Sequence, residues 1–545
     1  MEKKYFGNHA VYQIYPRSFC DGNGDGIGDI PGIISKLDYL SKLGIGIIWL
    51  SPVYASPNSD MGYDISDYLS INPDYGTMED MEELIAKAKE KGIRIIMDLV
   101  VNHTSDEHSW FKQSKDKNSP YHSYYYWRKG KNNNKLPPNN WTSMFGGGAW
   151  SYCPEVGEYY LHLYGEKQPD LDWHNPAVYE EVKKIITFWL DKGIYGFRCD
   201  VINQIWKETL KDGKKTPMGC GMEHYLMKEG NHEILRRLNK DIFSKRDVMV
   251  VGETYMVDHK NGVKFLNNEL DMFFEFDHTN VDKWKLPLFP RKYHPSRMKD
   301  ILYGWQKAVS WNALYFENHD QLRSIKRFGE EGALKKVSGK MLATILFTLR
   351  GTPFIYEGEE IGMSDLPIEQ YEEYRDVSAQ NVYKILERFH FSKSIILKLV
   401  HNFNRDNARS PMQWDDSPNG GFSKKTPWIT VNPNYKEVNV VSSLEDPDSI
   451  WHYYEKLIAL RKNNDALSYG SFLSLKSHRD IMVFRRDSEK EAALVVINLS
   501  KKKRKLPSIL KISGKVLISN YPDYLTSNQT LRPFEAAIIA LKKVA

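Results

Sequence analysis

The chain has 545 residues, with 75 lysines and arginines against 70 aspartates and glutamates, and a formal net charge of +5. This length suits one large domain with smaller domains attached. The near balance of charge argues against nucleic acid as a partner. The basic run Lys501–Lys505 lies between apolar runs, which favours a solvated loop over a targeting signal.

The four cysteines, Cys20, Cys153, Cys199 and Cys220, form no CxxC pair. We therefore expect reduced thiols rather than a disulfide framework or a zinc site. The N-terminal residues contain no apolar segment of signal-peptide length, and no run of about 18 apolar residues occurs. These features predict a cytoplasmic protein without a membrane segment.

The first predicted strand is Ala10–Pro16, and the stretch CDGNGDGIGDIPG at residues 20–32 follows it. Metal loop, phosphate loop and flexible turn are three competing interpretations. The stretch lacks the GxxxxGK pattern, and its carboxylates would repel phosphate. Positions one, three, five, seven and nine of an EF-hand loop are filled by Asp21, Asn23, Asp25, Ile27 (through its carbonyl) and Asp29. The twelfth position is Gly32 instead of the bidentate Glu, so a half-loop for a cation and a bare turn both remain open.

Strand-like and helix-like segments then alternate along the chain. Ile33, Leu37 and Leu40 share one face of a helix predicted over residues 31–44, and Thr77 with Asp80 is spaced like a capping pair at the start of the next helix. The eight predicted strands are Ala10–Pro16, Gly46–Pro52, Ile93–His103, Gly196–Val201, Asp247–Thr254, Leu270–Asp277, Asn312–Asp320 and Thr352–Glu360. Eight strands separated by helices predict a (β/α)8 TIM barrel of the α/β class.

Two segments depart from this alternation. Residues 104–173 are rich in Asn, Tyr, Trp and Gly and are too long for a simple loop, so they predict an irregular inserted subdomain after the third strand. Short alternating apolar runs after residue 470 predict an antiparallel β-sandwich. The predicted domains are thus the barrel at 1–103 and 174–470, the insert at 104–173, and the C-terminal sandwich at 471–545.

Charged residues stand where most of the predicted strands end. They include Asp98, His103, Asp200, Glu253, Asp277, Asp320 and Glu357. TIM barrels carry their active sites at that end of the strands. Two carboxylates about 5 Å apart suit retaining glycoside cleavage, one as nucleophile and one as acid/base. Arg198 lies on the same strand face as Asp200, so we expect its charge to hold the pKa of that carboxyl down.

Six motifs now carry a resemblance to a known family. They are DLVVNH (98–103), QPDLDW (168–173), GFRCDVI (196–202), VGET (251–254), ENHD (317–320) and DNARSPMQWDDSPNGGF (406–422). Together they resemble the α-amylase family of glycoside hydrolases (family 13), in its oligo-1,6-glucosidase, dextran glucosidase and α-glucosidase branch. The similarity extends over nearly the whole chain.

The resemblance implies a role for each matching residue. Asp200 would be the nucleophile, Glu253 the acid/base and Asp320 the stabiliser of the transition state. The implied sugar-binding residues are Asp60, Tyr63, His103, Arg198, His319, Arg409, Gln168, Phe145, Tyr164 and Val201. Taken singly, these side chains also suit plain roles, such as ring packing, hydrogen-bonded core histidines or a structural ion pair. The resemblance further implies one structural Ca²⁺, or Mg²⁺, in the Asp21–Asp29 loop, no organic cofactor, a small oligosaccharide substrate and a monomer.

The finer specificity depends on Val201. In this branch, Val after the nucleophile accompanies α-1,6 cleavage, whereas Thr or Ala accompanies α-1,4 cleavage. We therefore expect an exo-acting enzyme for short α-1,6-linked glucosides. Three features depart from the family: Asp172 replaces a usual Asn, Cys199 precedes the nucleophile and should point away from it, and the segment 211–230 is atypical.

Alternatives remain within the fold and outside it. Hydrolysis of trehalose 6-phosphate needs cations for the phosphate, and lysines and arginines near the barrel mouth are available. Transglucosylation and α-1,4-glucoside or sucrose hydrolysis remain open, whereas sucrose isomerases carry an Arg-Leu-Asp-Arg motif where this chain reads DHTNVDKWKLPLF. A non-catalytic transporter-associated subunit is disfavoured because all three carboxylates are present.

Overall fold

Eight short parallel strands, each leading into helical chain, form one barrel sheet in the computed structural model, which describes residues 3–217, 219–284, 288–507, 514–523 and 530–542. The strands β1–β8 are Val11–Ile14, Ile47–Leu50, Arg94–Leu99, Gly196–Cys199, Met249–Glu253, Met272–Phe274, Ala313–Leu314 and Thr352–Tyr356. Their order is β6-β5-β4-β3-β2-β1-β8-β7, and β6 and β7 lie side by side at the closing seam. The predicted TIM barrel is confirmed.

Alternation along the strands separates two cores. Inward residues such as Ile47, Trp49 and Val251 fill the barrel, whereas their neighbours Ile48 and Val250 pack against the surrounding helices. Both faces are buried, which explains why the strands read as almost continuous apolar runs. The same alternation sends the polar residues at the strand ends into the barrel mouth.

The α-helices of the described residues are bounded as follows: Pro16–Phe19, Ile30–Ser35, Leu37–Leu43, Met78–Glu90, Ser109–Ser114, Lys131–Asn134, Pro176–Asp191, Glu229–Asp241, His259–Phe265, Pro295–Ala308, Ser324–Phe328, Lys335–Thr348, Val377–Arg388, Lys393–His401, Asp406–Arg409, Val440–Glu445, Ile450–Lys462 and Asp465–Tyr469. Thr77 and Asp80 form the predicted capping box. The single helix predicted over residues 31–44 is wrong, because the chain breaks at Lys36 into two helices.

Several predicted strands are longer than those observed. The seventh is the extreme case: only Ala313 and Leu314 pair with β8, although the prediction extended to Asp320. Residues 318–320 turn away from the sheet, where the Asn318 side chain accepts the Asp320 N–H at 2.8 Å. This turn places His319 and Asp320 in the barrel mouth instead of in a strand.

The insert contains more regular structure than the predicted irregular subdomain. Its strands Trp127–Arg128, Trp150–Cys153 and Glu158–Leu161 form a small antiparallel sheet. Trp141 packs with Met222 and Tyr225 from the segment after β4. The part of the atypical segment that contains Met222 and Tyr225 therefore lies against the insert.

The C-terminal strands form the predicted antiparallel domain. Strands β9–β13 are Ser471–Ser474, Ile481–Asp487, Ala492–Asn498, Lys515–Ser519 and Ala536–Leu541, in the order β9-β10-β11-β13-β12. A second ladder, Arg504–Lys505 with Thr530–Leu531, packs on this sheet through Leu506 and Leu531. Tyr303 of the barrel donates to the Val483 carbonyl at 3.1 Å, which joins the two domains. The exact domain boundaries stay predictions.

All four cysteines are buried and free. Across the part of the chain that the structure describes, no helix is both long enough and apolar enough to cross a bilayer. Cys199 points into the outer core, where burial raises the pKa of its thiol to about 12. This is the packing role predicted for it.

His108 should make the free energy of unfolding depend on pH. It is buried beside Tyr68 and Trp110, and burial lowers its pKa to about 4, while Asp67 acts weakly in the opposite direction. The unfolded chain binds a proton near pH 6.5, so the contribution of His108 is present above that pH. It is lost as pH falls from 6.5 through 4, by about 3 kcal/mol in total.

His108→Asn tests this expectation. The Asn side chain can still accept the Trp110 N–H that the His108 ring accepts at 3.0 Å, but it does not titrate. We expect a shallower fall in urea-unfolding free energy between pH 6.5 and 4 than in the wild type. The exposed His294, changed to Asn, is the matched control and should leave the slope unchanged. Equal slopes in the His108 variant and the wild type would contradict the prediction.

Candidate active site

One buried guanidinium organises the carboxylates at the barrel mouth. The side chain of Arg198 is 1% exposed, and its Nη1 lies 2.6 Å from Asp98 Oδ1 and 2.5 Å from Asp200 Oδ1. Its Nη2 lies 2.8 Å from Glu253 Oε2. Asp98, Arg198 with Asp200, and Glu253 come from the ends of β3, β4 and β5. Arg198 thus holds both members of the predicted catalytic pair.

This cluster holds more acid than one cation can balance. Burial raises the pKa of Asp200, the charges of Glu253 and Asp98 raise it further, and Arg198 opposes them. Burial likewise raises the pKa of Asp98 to about 6, against the opposing effects of Arg198 and of Trp49, whose indole N–H donates to Asp98 at 2.7 Å. Arg198 acts on the pKa of Asp200 in the predicted direction, but the prediction that it holds this pKa down is wrong in outcome, because burial and the neighbouring carboxylates outweigh it.

Val201 connects the two catalytic candidates through its backbone. It follows Asp200 directly and has φ 36° and ψ 39°, a left-handed conformation that is strained for a β-branched residue. In this conformation its N–H donates to Glu253 Oε2 at 3.1 Å. The strained turn after β4 therefore orients the carboxylate at the end of β5.

Asp320 lies among cations on the other side of the mouth. Burial alone would raise its pKa, but His319, Arg405 and Arg409 outweigh burial and hold the pKa well below its usual range. Arg409 Nη2 donates to Asp320 Oδ1 at 2.7 Å. Burial lowers the pKa of His319 to about 3, so its ring is neutral near pH 7. Its Nδ1 lies 2.8 Å from the Gln13 amide nitrogen, which leaves the Nε2 proton directed at Asp320, 3.3 Å away.

Arg405 was missed by the sequence analysis. Its guanidinium lies 3.2 Å from Asp60 and 2.7 Å from Asp376, and it also lies 3.6 Å from Asp320. It stands four residues before Arg409, at the foot of the same short helix. The spacing of four residues from Arg409 could have indicated that Arg405 lies at the same site. Its partners could not be read from the sequence, because they lie up to 345 residues away.

The remaining predicted binding residues form one connected wall. Gln168 donates to Asp60 at 3.2 Å and to the Tyr63 carbonyl at 3.2 Å. The Tyr63 ring stacks on His319 at 5.2 Å, and its buried hydroxyl has no partner among the described residues. A buried hydroxyl without a partner is costly unless a ligand satisfies it.

Aromatic rings from the insert complete that wall. Tyr164 lies 5.2 Å from the His103 ring and 5.5 Å from Phe145, and Arg405 lies over the Phe145 ring at 5.1 Å. The structure therefore brings all thirteen predicted catalytic and sugar-binding residues into one region. Charged groups that orient polar atoms, together with apolar ring faces, suit a neutral ligand with many hydroxyl groups.

Two other polar strand ends serve the fold. Asp277 accepts the indole N–H of Trp305 at 3.0 Å, and Glu357 accepts the backbone N–H of Tyr15 at 2.9 Å. Neither bonds a member of the Arg198 cluster. A charged residue at the end of a strand is therefore not always a residue of the site.

The predicted metal loop is held closed by its own backbone. Asp21 accepts N–H groups of Gly24 and Gly26 at 2.6 and 2.8 Å, and Asp29 accepts those of Gly22, Asn23 and Gly32 at 2.6–3.0 Å. Within the described ranges, no group of three or more His, Cys, Asp or Glu residues is arranged to hold a metal ion. The oxygen ligands suit Ca²⁺ in chemistry, but Asp29 is turned towards the backbone as the cap of Ile30–Ser35.

Comparison with known proteins identifies the family. Residues 13–470 match the family model described as the α-amylase catalytic domain. The chain is 47% identical to the oligo-1,6-glucosidase of Parageobacillus thermoglucosidasius, over 99% of this chain and 100% of that protein. The crystal structure of Bacillus licheniformis trehalose-6-phosphate hydrolase superposes with a TM-score of 0.93 at 42% identity, over 99% and 100% of the two chains. The isomaltulose synthase of Protaminobacter rubrum gives a TM-score of 0.94 at 36% identity, over 100% of both chains.

Replacing Arg198 with Met should strongly destabilise the protein. The change would leave three carboxylates in the barrel mouth without their shared cation, and breaking a buried ion pair costs about 3–5 kcal/mol. Equilibrium unfolding in urea at pH 7 measures the loss. Arg246→Met is the matched control, because Arg246 pairs with Asp191 at an exposed site and should cost less than about 1 kcal/mol. Equal losses in the two variants would refute the central role of Arg198.

Proposed function

The chain belongs to the α-amylase family of glycoside hydrolases, and from that premise we propose that it is an exo-acting, retaining α-glucosidase of the oligo-1,6-glucosidase type. It would release glucose from the non-reducing ends of short α-1,6-linked glucosides. The observation that carries the proposal is the pair Asp200 and Glu253, bridged by the Arg198 guanidinium. Such a bridge suits the separation of about 5–5.5 Å used by retaining enzymes.

In the first step, an Asp200 oxygen attacks the anomeric carbon as the bond to the leaving oxygen breaks. Glu253 gives its proton to that oxygen, so the leaving sugar departs as a neutral alcohol. In the second step, Glu253 takes a proton from water, whose oxygen displaces Asp200 from the same carbon. Two inversions return the α anomer and restore both carboxyl groups.

The hydrogen bonds of the two carboxylates support this division of roles. Asp98, Asp200 and Glu253 share the single guanidinium of Arg198. Asp200 Oδ1 accepts from Arg198, whereas Glu253 uses only Oε2 for Arg198 and the Val201 N–H. This leaves Glu253 Oε1 for the proton that the leaving oxygen needs.

The cationic side of the mouth would hold the sugar ring. Asp320, kept ionised by Arg405 and Arg409, would accept hydroxyl protons and stabilise positive charge developing on the ring. Tyr63 would offer its ring face and its unpartnered hydroxyl. Val201, beside the nucleophile, would shape the space for an α-1,6-linked leaving sugar.

A second candidate is hydrolysis of a phosphorylated disaccharide, as in the trehalose-6-phosphate hydrolase named above. One observation favours it. Lys283 donates to Gln321, next to Asp320, at 3.4 Å, and has no carboxylate within ion-pair distance among the described residues. Burial, followed by the charge of Arg327, lowers the pKa of this amine to about 7. A phosphate would supply the missing counter-charge.

A substrate panel separates these candidates. Isomaltose, panose, maltose, sucrose, trehalose and trehalose 6-phosphate are compared by kcat/KM, and NMR follows the first glucose anomer released. We expect isomaltose or panose to be cleaved best and α-glucose to appear first. Asp200→Asn and Glu253→Gln should each lower kcat by at least about a thousandfold. Early β-glucose would exclude retention, and a phosphorylated disaccharide cleaved best would establish the second candidate.

The proposal includes one structural Ca²⁺ in the loop formed by Asp21, Asn23, Asp25, Ile27 and Asp29. The spacing of these residues in the sequence supports the ion. The loop is also tied to residues 422–428, where the Trp428 N–H donates to the Gly26 carbonyl at 3.0 Å. Binding would require Asp29 to exchange some backbone N–H partners for the ion. Mg²⁺ is the alternative occupant.

Ca²⁺ should therefore raise the melting temperature of chelator-treated protein. We expect an increase of a few degrees at millimolar Ca²⁺, and no increase in Asp21→Asn, because a ligand that binds only the native state stabilises it. The exposed Asp38, changed to Asn, is the control and should keep the response. Identical melting temperatures with and without Ca²⁺ would rule out the site.

The proposal also includes a monomer in the cytoplasm. Four buried free cysteines support a reducing compartment. The monomer rests on the family resemblance alone.

A further inference from the structure

A buried lysine joins three chain segments beside the pocket. The Lys207 side chain is 0% exposed, and its Nζ lies 2.6 Å from Asp170 Oδ2 and 2.7 Å from Asn102 Oδ1. Lys207 follows β4, Asp170 closes the insert, and Asn102 follows β3 immediately before His103. Lys207 itself touches none of the three catalytic carboxylates.

An ammonium group can only donate, so it fixes which end of the Asn102 amide faces it. The oxygen Oδ1 must point at Lys207. The nitrogen Nδ2 is then the end of the amide that lies 3.2 Å from His103 Nδ1, and it also lies 3.2 Å from Asp170 Oδ2, the oxygen that Lys207 contacts. A simple ion pair between Lys207 and Asp170 would not require the Asn102 contact.

The amide in turn decides where His103 carries its proton. Burial lowers the pKa of His103 to about 4, so the ring is neutral near pH 7 and carries one N–H. Because Asn102 Nδ2 donates to Nδ1, the proton sits on Nε2, which lies 3.1 Å from the Tyr63 carbonyl. Gln168 Nε2 lies 3.1 Å from the same ring nitrogen and would favour the opposite tautomer. Two tautomers therefore compete, and Asn102 selects one.

We propose that Lys207 is a positioning residue that fixes the Nε2–H tautomer of His103 through the Asn102 amide. The fixed tautomer gives the pocket a hydrogen-bond donor beside Tyr63 and Gln168, where a sugar hydroxyl would lie. The catalytic consequence rests on the proposed α-glucosidase function. The tautomer itself does not.

Activity is tested with Lys207→Met on the full chain, using isomaltose. Hydrogen bonds to the reacting sugar strengthen in the transition state, so we expect kcat to fall at least about tenfold while KM changes less than about threefold. Lys207→Arg keeps the donors and should recover kcat to within about threefold of the wild type. Lys299→Met is the matched control: it removes another buried lysine, which bonds the His478 and Ile481 carbonyls far from the pocket. It should lower stability and leave kcat unchanged.

The tautomer is read directly in wild-type protein labelled with ¹⁵N-histidine. Long-range ¹H–¹⁵N NMR distinguishes protonated from bare ring nitrogens, and His103→Gln identifies the His103 signals by their loss. We expect a bare Nδ1 and a protonated Nε2, with a mixture or the reverse in Lys207→Met. A protonated Nδ1 in the wild type overturns the inference, as does wild-type kcat in a folded Lys207→Met. If no α-glucoside is cleaved, the proposed function fails, and the NMR result still decides the tautomer.

Discussion

The contact between Arg198 and three carboxylates is the interaction on which the site depends. Three strand ends bring acids together in a space from which water is largely excluded, and such a group is unstable without a cation. Arg198 supplies it and is inaccessible to solvent at 1% exposure. One cation for three acids leaves the cluster short of positive charge.

The two sides of the barrel mouth shift the pKa values of their carboxyl groups in opposite directions. Asp200 lies beside Asp98 and Glu253, which raise its pKa, whereas Asp320 lies beside Arg405 and Arg409, which lower it. Both sides are built on the same barrel, so burial is common to them and the neighbours make the difference. In the proposed mechanism, the cationic side keeps Asp320 charged throughout, and the Arg198 side holds the nucleophile Asp200 and the proton donor Glu253.

The sequence predicted the barrel and the site residues for physical reasons. Strands buried on both faces and the carboxyl ends of parallel strands leave local signals, and these located Asp200 and Glu253. The short pairing of β7, the break at Lys36 and the small sheet in the insert depend on packing that periodicity does not record. Arg405 and Lys207 were missed because their partners lie far away in sequence, Asp60 for the first and Asn102 for the second.

The same distant contacts explain how an inserted segment becomes part of the active site. The insert brings Gln168 and Asp170 to the mouth, and neither has a complete set of partners without the barrel. Lys207 and Asn102 donate hydrogen bonds to the Asp170 carboxylate. Asp60 and the Tyr63 carbonyl accept hydrogen bonds from the Gln168 amide. Because an unpaired buried charge is costly, pairing of Asp170 with Lys207 stabilises the insert in the position that lines the pocket. Folding of the insert and orientation of His103 therefore depend on one set of hydrogen bonds, so a change there should affect stability and catalysis together, whereas a change in the outer core should affect stability alone.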